Sequence, residues 1–281
     1  LTSTGRTLLH FRDTAPGADP HRRTLLLIHG FGASGFTWRN WEGALARFGR
    51  IVNVDLVGFG DSPAPEDWEY TPAAQAREVV ALVRELGLED VVIMGHSLGG
   101  GVALLTSLGL QAEGNSPITG QILVAGMAYL QRLPRFVGYA SSNRLAQVLF
   151  DVIPKRKIIE LALISAQAPG TPILEEQLEG YARPFFRREV RRATIRAATR
   201  LIPADMDSVV ARYPTLSVPT LLLWGALDPV IPLWVGERLS RELPQARLEV
   251  LEGCGHLPQD ERPKASLARV LAFLEEISSA G

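Results

Sequence analysis

Gly95-His96-Ser97-Leu98-Gly99 sets a serine between two glycines, after the apolar run Val91 to Met94 and before the small-residue-rich segment Leu98 to Leu110. A serine on a sharp strand-to-helix turn is held strained with its hydroxyl presented outward; flanking glycines avoid clashes there, and the helix start favours developing negative charge. A serine hydroxyl is a weak nucleophile and needs a base held by a third group. Among five histidines, His10, His21, His29, His96 and His256, the candidate base is His256, in Gly253-Cys254-Gly255-His256-Leu257-Pro258 after a strand ending at Leu251. The candidate acid is Asp228, in the loop Gly225-Ala226-Leu227-Asp228-Pro229 after an earlier strand. His29-Gly30-Phe31-Gly32 follows another strand end, and the backbone N–H groups of Phe31 and Leu98 are the candidates to hold an oxyanion. His29 is expected to shape that loop by hydrogen bonding, and His96 to pack beside the serine turn. The chemistry expected of this set is acyl transfer with no cofactor and no metal.

These residues need a scaffold that brings distant strand ends together. Short apolar runs at 25–28, 51–55, 91–94, 122–124, 221–223 and 248–251 read as strands buried on both faces. Thr71-Pro72 opens a helix that Gly87 stops, Leu98 to Leu110 forms a second, and Arg262 to Ile277 the last. The alternation predicts an α/β fold, a mostly parallel sheet flanked by helices. From Met127 to Thr215 the pattern holds no strand, only helical stretches separated by Pro134, Pro154, Pro169-Gly170-Thr171-Pro172 and Pro203. That is far longer than an ordinary connection of about 2–6 residues, so an inserted all-helical cap is expected over 127–215, between core parts 1–126 and 216–281.

His29-Gly30-Phe31-Gly32, Asp55-Leu56-Val57-Gly58-Phe59-Gly60-Asp61-Ser62, Gly95-His96-Ser97-Leu98-Gly99-Gly100 and the Asp228 and His256 loops together resemble the α/β-hydrolase superfamily, from about Thr24 to the C-terminus outside the cap. The resemblance implies the α/β-hydrolase fold and a Ser97–Asp228–His256 triad. The Asp55–Ser62 segment is similar to that of epoxide hydrolases and dehalogenases, which carry aspartate where Ser97 stands; that departure argues against both activities. Carbon–carbon bond hydrolases of aromatic degradation keep the serine, but usually with asparagine at the position of His96 and a tryptophan at that of Leu257. The expectation is a serine hydrolase cleaving a carboxylic ester with an apolar part through an acyl-enzyme. The alternatives are a carbon–carbon bond hydrolase of ring-cleavage products and a ligand receptor built on the same fold.

The chain has 281 residues, is 46% hydrophobic and has a net charge of −1, which excludes wholesale disorder and gives no sign of nucleic-acid binding. One cysteine, Cys254, excludes an internal disulfide framework and fits a reducing, cytoplasmic setting; the sequence opens at Leu1, so an upstream signal or anchor lies outside this reading. The near-neutral charge conceals an asymmetry. Residues 127–215 hold 14 basic and 8 acidic side chains, and the remainder 15 and 22. Arg188, Arg192, Arg196 and Arg200 repeat at intervals of four, a basic ridge opposite Phe186, Val190, Ala193, Ala197 and Leu201. Three uses are open for the ridge: a solvated face paired with acids of the core, weak contact with an anionic interface, or a clamp on an anionic substrate group. Phe136, Tyr139, Phe150 and Phe185 are candidates to line a pocket for an apolar ester substrate. The oligomeric state is left open by the sequence.

Overall fold

The computed structural model describes residues 7–19, 21–130, 153–202 and 205–279. Within them, β1 (His10–Asp13), β2 (Thr24–Ile28), β3 (Arg50–Asp55), β4 (Val91–His96), β5 (Ile118–Val124), β6 (Thr220–Gly225) and β7 (Ala246–Leu251) pair in the order β1-β3-β2-β4-β5-β6-β7. Only β1 runs antiparallel to its neighbour; every other pairing is parallel. The six apolar runs all became strands. β1, sequence His-Phe-Arg-Asp, carries no such run, because an edge strand with one covered neighbour has no need of continuous apolar residues.

Both faces of the sheet are covered, and the two-residue period of each strand divides its side chains between them. Leu25 and Leu27 face one layer with Trp38 and Trp41 and with Val270, Phe273 and Leu274 of α10 (Pro263–Ser279). Trp38 closes a 3-10 turn at Gly35–Trp38, and Trp41 lies in α1 (Arg39–Leu45). Leu26 and Ile28 face the other layer, built from α2 (Pro72–Glu85), α3 (Leu98–Ala112) and α8 (Leu233–Glu242), with Val79, Leu82, Val102 and Leu239. Thr71 caps α2 by accepting the Ala74 N–H at 3.1 Å, and Gly87 ends it in the left-handed region at φ +57.

Between β5 and β6 the described residues hold no strand; their regular elements are α4 (Lys155–Ala166), α5 (Glu175–Ala182), α6 (Arg188–Ala198), α7 (Met206–Val210) and 3-10 turns at Arg183–Phe186 and Tyr213–Thr215. Pro154 immediately precedes α4, and the Pro169–Pro172 stretch separates α4 from α5. Pro134, Pro203, Phe136, Tyr139 and Phe150 lie outside the described residues. The basic ridge differs in one respect from the expectation. Arg187 is extended, at φ −79 and ψ 124, so helical phase is lost between the 3-10 turn and α6. Phe186 therefore leaves the apolar side and is 67% exposed, whereas Val190, Ala193, Ala197 and Leu201 are buried as expected. Arg200 lies two residues beyond the end of α6.

Candidate active site

Four loops that leave the C-terminal ends of β2, β4, β6 and β7 meet at one edge of the sheet, the place where open parallel sheets hold their chemistry. Ser97 follows β4 and precedes α3 with φ 54 and ψ −118, a left-handed conformation rare outside glycine. A backbone held there costs about 1–3 kcal/mol and persists only where its surroundings impose it. Here the Ser97 N–H is tied to Val124 O at 3.0 Å, and its carbonyl accepts from Gly100 at 2.9 Å and Met127 at 2.9 Å. A Cβ on Gly95 would drive into the Gly99 carbonyl, and one on Gly99 into the carbonyls of Ile28 and His29. Only glycine at both places lets α3 begin this close to β2 and β4.

Asp228 and His256, 28 residues apart in sequence, are joined by an Nδ1–Oδ2 hydrogen bond of 2.8 Å with both side chains buried. The other carboxylate oxygen, Oδ1, accepts the N–H of Val230 at 2.8 Å and of Ile231 at 2.9 Å, which fixes the carboxylate plane. With Nδ1 donating to Asp228, Nε2 of a neutral His256 is the nitrogen that can take a proton. Phe31 sits in the loop after β2, and its ring meets Phe59 edge-on at 5.7 Å. Leu98 is the first residue of α3, so its N–H has no intrahelical acceptor. Among the described residues neither the Phe31 nor the Leu98 N–H is engaged in a hydrogen bond, and none joins Ser97 Oγ to His256.

The "Alpha/beta hydrolase family" matches residues 25–270 of the chain. The chain belongs to that family. It is 28% identical over 258 residues to the hydrolase YugF of Bacillus subtilis, covering 92% of each chain. It is also 28% identical over 269 residues to a 2-hydroxymuconate semialdehyde hydrolase of Pseudomonas sp. strain CF600, covering 91% of this chain and 88% of that one. Among solved structures, a thermophilic esterase from Thermogutta terrifontis superposes with a TM-score of 0.74 at 26% identity, over 96% of this chain and 93% of the other.

Two further histidines of this α/β hydrolase have structural partners. His29 Nδ1 donates to the Gly30 carbonyl at 2.7 Å and Nε2 accepts the Leu56 N–H at 2.9 Å, so the ring is a brace between the loops after β2 and β3; burial pushes its pKa down. His96, expected from the sequence to pack beside the serine turn, also makes a hydrogen bond. Its Nε2–H donates to the backbone carbonyl of His256 at 2.9 Å, and the two rings lie 4.8 Å apart. Burial, with the neighbouring His256 adding to it, lowers the His96 pKa to about 3, so the ring is neutral at physiological pH. Asp55 anchors a second pair of loops: Oδ1 accepts the Gly35 N–H at 2.7 Å and Oδ2 the Asp61 N–H at 2.8 Å. Gly60, at φ +52, leaves room for that carboxylate where a Cβ would collide with it. His10, Asp55 and Asp61 bring potential metal-ligand atoms within 4.8 Å of one another, but the Asp55 oxygens already serve these amides.

The helices between β5 and β6 reach the site of the hydrolase in two places. Ile159, Leu163, Tyr181, Ala182 and Phe185 cluster with Ala33 of the Phe31 loop and with Leu257, next to His256. α6 lies over the segment 58–70; its Arg192 and Arg196, with Arg187 and Arg200 at its flanks, turn toward that segment, whereas Arg191 donates to the carbonyls of Phe185 and Phe186. Arg187 donates to Gly60 O at 3.0 Å, Arg192 and Arg196 meet Glu66 at 3.3 and 3.5 Å, and Arg200 donates to the carbonyls of Trp68 and Glu69 at 3.1 and 3.0 Å. Glu261, which nothing in the sequence marked, lies in the short helix α9 (Pro258–Glu261) and accepts backbone N–H groups on both sides of His256. A carboxylate that serves main-chain amides leaves no motif, because any residue type but proline can supply the N–H.

Proposed function

We propose that this α/β hydrolase is a serine esterase acting on carboxylic esters with an apolar portion. The reading rests on one observation, the buried 2.8 Å Asp228–His256 hydrogen bond at the same sheet edge as the strained Ser97. His256 Nε2 takes the Ser97 proton as Oγ attacks the ester carbonyl carbon, and the carbonyl π electrons move to oxygen. The amides of Phe31 and Leu98, with the positive end of α3, stabilise that oxyanion. The intermediate collapses, the ester C–O bond breaks, and the imidazolium protonates the departing alcohol. Water, deprotonated by the same imidazole, then attacks the acyl-enzyme and releases the acid and free Ser97. Asp228 keeps the imidazole in the tautomer the cycle needs and stabilises its cationic form. The apolar cluster of Ala33, Ile159, Leu163, Phe185 and Leu257 supports an apolar substrate portion, with the helices between β5 and β6 acting as a cap.

Ser97→Ala should lower turnover of a short p-nitrophenyl ester by at least about 10³-fold. Retention of most wild-type turnover would remove Ser97 from the nucleophile role. A second reading is carbon–carbon bond hydrolysis, favoured by the relatedness to the 2-hydroxymuconate semialdehyde hydrolase. His96 and Leu257 favour the ester. A ring-cleavage dienoate assayed beside an ester panel of increasing chain length separates the two: higher kcat/KM for the dienoate would reverse the order.

A further inference from the structure

The loop that carries His256 is held largely through its backbone, and the two amides that flank His256 converge on one side chain. Glu261 Oε1 accepts the Leu257 N–H at 2.9 Å, and Oε2 accepts the Gly255 N–H at 2.9 Å. The two amides flanking His256 therefore rest on the two oxygens of a single buried carboxylate. The same Oε2 also accepts the N–H of Ala168 at 2.8 Å and the Thr171 hydroxyl at 3.4 Å, both from the segment that follows α4. His256 itself donates its N–H to Ala166 O, the last residue of α4, at 2.9 Å. Gly255 packs so tightly on this segment that a Cβ there would meet the Gln167 carbonyl carbon at 2.7 Å and Ala166 O at 2.8 Å.

We propose that Glu261 is a positioning residue for His256, fixing the imidazole against Asp228 and Ser97 by gripping the amides on either side of it and joining them to the 166–171 segment. The proposal rests on the serine-esterase reading above. A carboxylate offers the acceptor lone pairs that three convergent N–H groups require, and charge-assisted hydrogen bonds to it are shorter and stronger than neutral ones. An amide in its place turns one of the two oxygens into a donor, which then faces either Leu257 or the Gly255–Ala168 pair. The His256 backbone shifts, and a displacement of about 1 Å in a reacting group can cost about 100-fold in rate. Asp260, the preceding residue, supplies an internal comparison. It is also buried and also ties the 153–202 helices down, with Tyr181 donating to it at 2.7 Å and Arg39 Nη2 at 2.7 Å. Its carboxylate makes no described contact with the His256 loop.

The experiment compares wild type, Glu261→Gln and Asp260→Asn in their rate of covalent labelling by a fluorophosphonate and in kcat and KM for a p-nitrophenyl ester. All values are normalised to the folded fraction from thermal unfolding. For Glu261→Gln, labelling rate and kcat should fall together by about 10- to 100-fold with KM within about threefold. Asp260→Asn should lower the unfolding midpoint with labelling rate and kcat within about threefold of wild type. Equal labelling and kcat in wild type and folded Glu261→Gln would overturn the role of Glu261 alone. So would an equal loss in Asp260→Asn, because the effect would then belong to seating of the helices as a whole. Absence of labelling at Ser97 in wild type would remove the serine reading itself, and the role of Glu261 with it.

Discussion

At the scale of single residues, the three buried histidines are defined by their hydrogen bonds. His256 faces a carboxylate through Nδ1, His29 bridges two backbone groups, and His96 donates to the carbonyl of His256. Asp228→Asn keeps the shape and loses the anion, so turnover should drop by about 10⁴-fold while the unfolding midpoint changes little; ester kinetics beside thermal unfolding check this. His96 carries a stability prediction with a definite sign. Burial lowers its pKa to about 3 in the native chain, against the ordinary histidine value of about 6.5, so the unfolded chain binds a proton below about pH 6.5 that the native chain refuses. Stability is therefore complete above that pH and declines as pH falls toward 3, by about 1.4 kcal/mol per unit for this group. His96→Gln keeps a donor near the position of Nε2 and removes the titration. Its unfolding midpoint should lie below the wild-type value at pH 8, and the gap should narrow between pH 6.5 and 5. A constant gap across that range would remove His96 as a source of acid sensitivity.

At the scale of elements, α3 shows how close approach, rather than helix propensity, selects residues. Gly99 and Gly109 lie on the same helix and are both poor helix formers in isolation. A Cβ at Gly99 would enter the carbonyls of Ile28 and His29, whereas one at Gly109 has Val80 Cγ2 as its nearest neighbour at 3.8 Å. Gly99→Ala should thus yield little folded protein, because backbone cannot move aside. Gly109→Ala should raise stability by about 0.5–1 kcal/mol through loss of unfolded-state freedom. Thermal unfolding of both variants decides the matter, and two changes of the same sign would contradict the packing argument. Cys254 belongs to the same scale: buried in the layer under β6 and β7, its thiol is pushed up to about 12 by burial. Iodoacetamide should leave it unmodified in the native protein and react only on unfolding.

At the scale of the whole molecule, part of the charge asymmetry is met internally. Among the described residues, Arg187, Arg192, Arg196 and Arg200 all bond to residues between Gly60 and Glu69, within a remainder of the chain that holds more acid than base. These contacts are largely exposed, with Glu66 66% accessible, so each is weak by itself and sensitive to screening. Reversing Arg192 and Arg196 to glutamate should lower the unfolding midpoint at 20 mM salt (a chosen condition on the order of weak screening), with the loss shrinking as salt rises. An equal loss at high and low salt would assign the effect to packing of the arginine stems. Among the described residues, no helix is long and apolar enough to cross a membrane.

Strand and helix identity was legible in the sequence wherever burial on both faces demanded continuous apolar runs, as at Leu25–Ile28 and Leu221–Leu223. The serine turn was legible too, because its left-handed backbone and its close packing both demand glycine neighbours that appear as letters in the chain. The sequence also placed Ser97, Asp228 and His256 each just after a strand, since a chain that alternates strand and helix must return to the same sheet edge. Helical phase at Arg187 was not legible: the turn that frees Phe186 depends on how 183–186 packs, not on local propensity. Nor were the roles of His96 and Glu261, whose partners are backbone groups. Every residue carries a backbone C=O and every residue but proline an N–H, so residue type does not mark which of them a side chain will hold. Only the tertiary structure, by bringing residues 96, 166–171 and 261 around His256, decided which of those groups a side chain would hold.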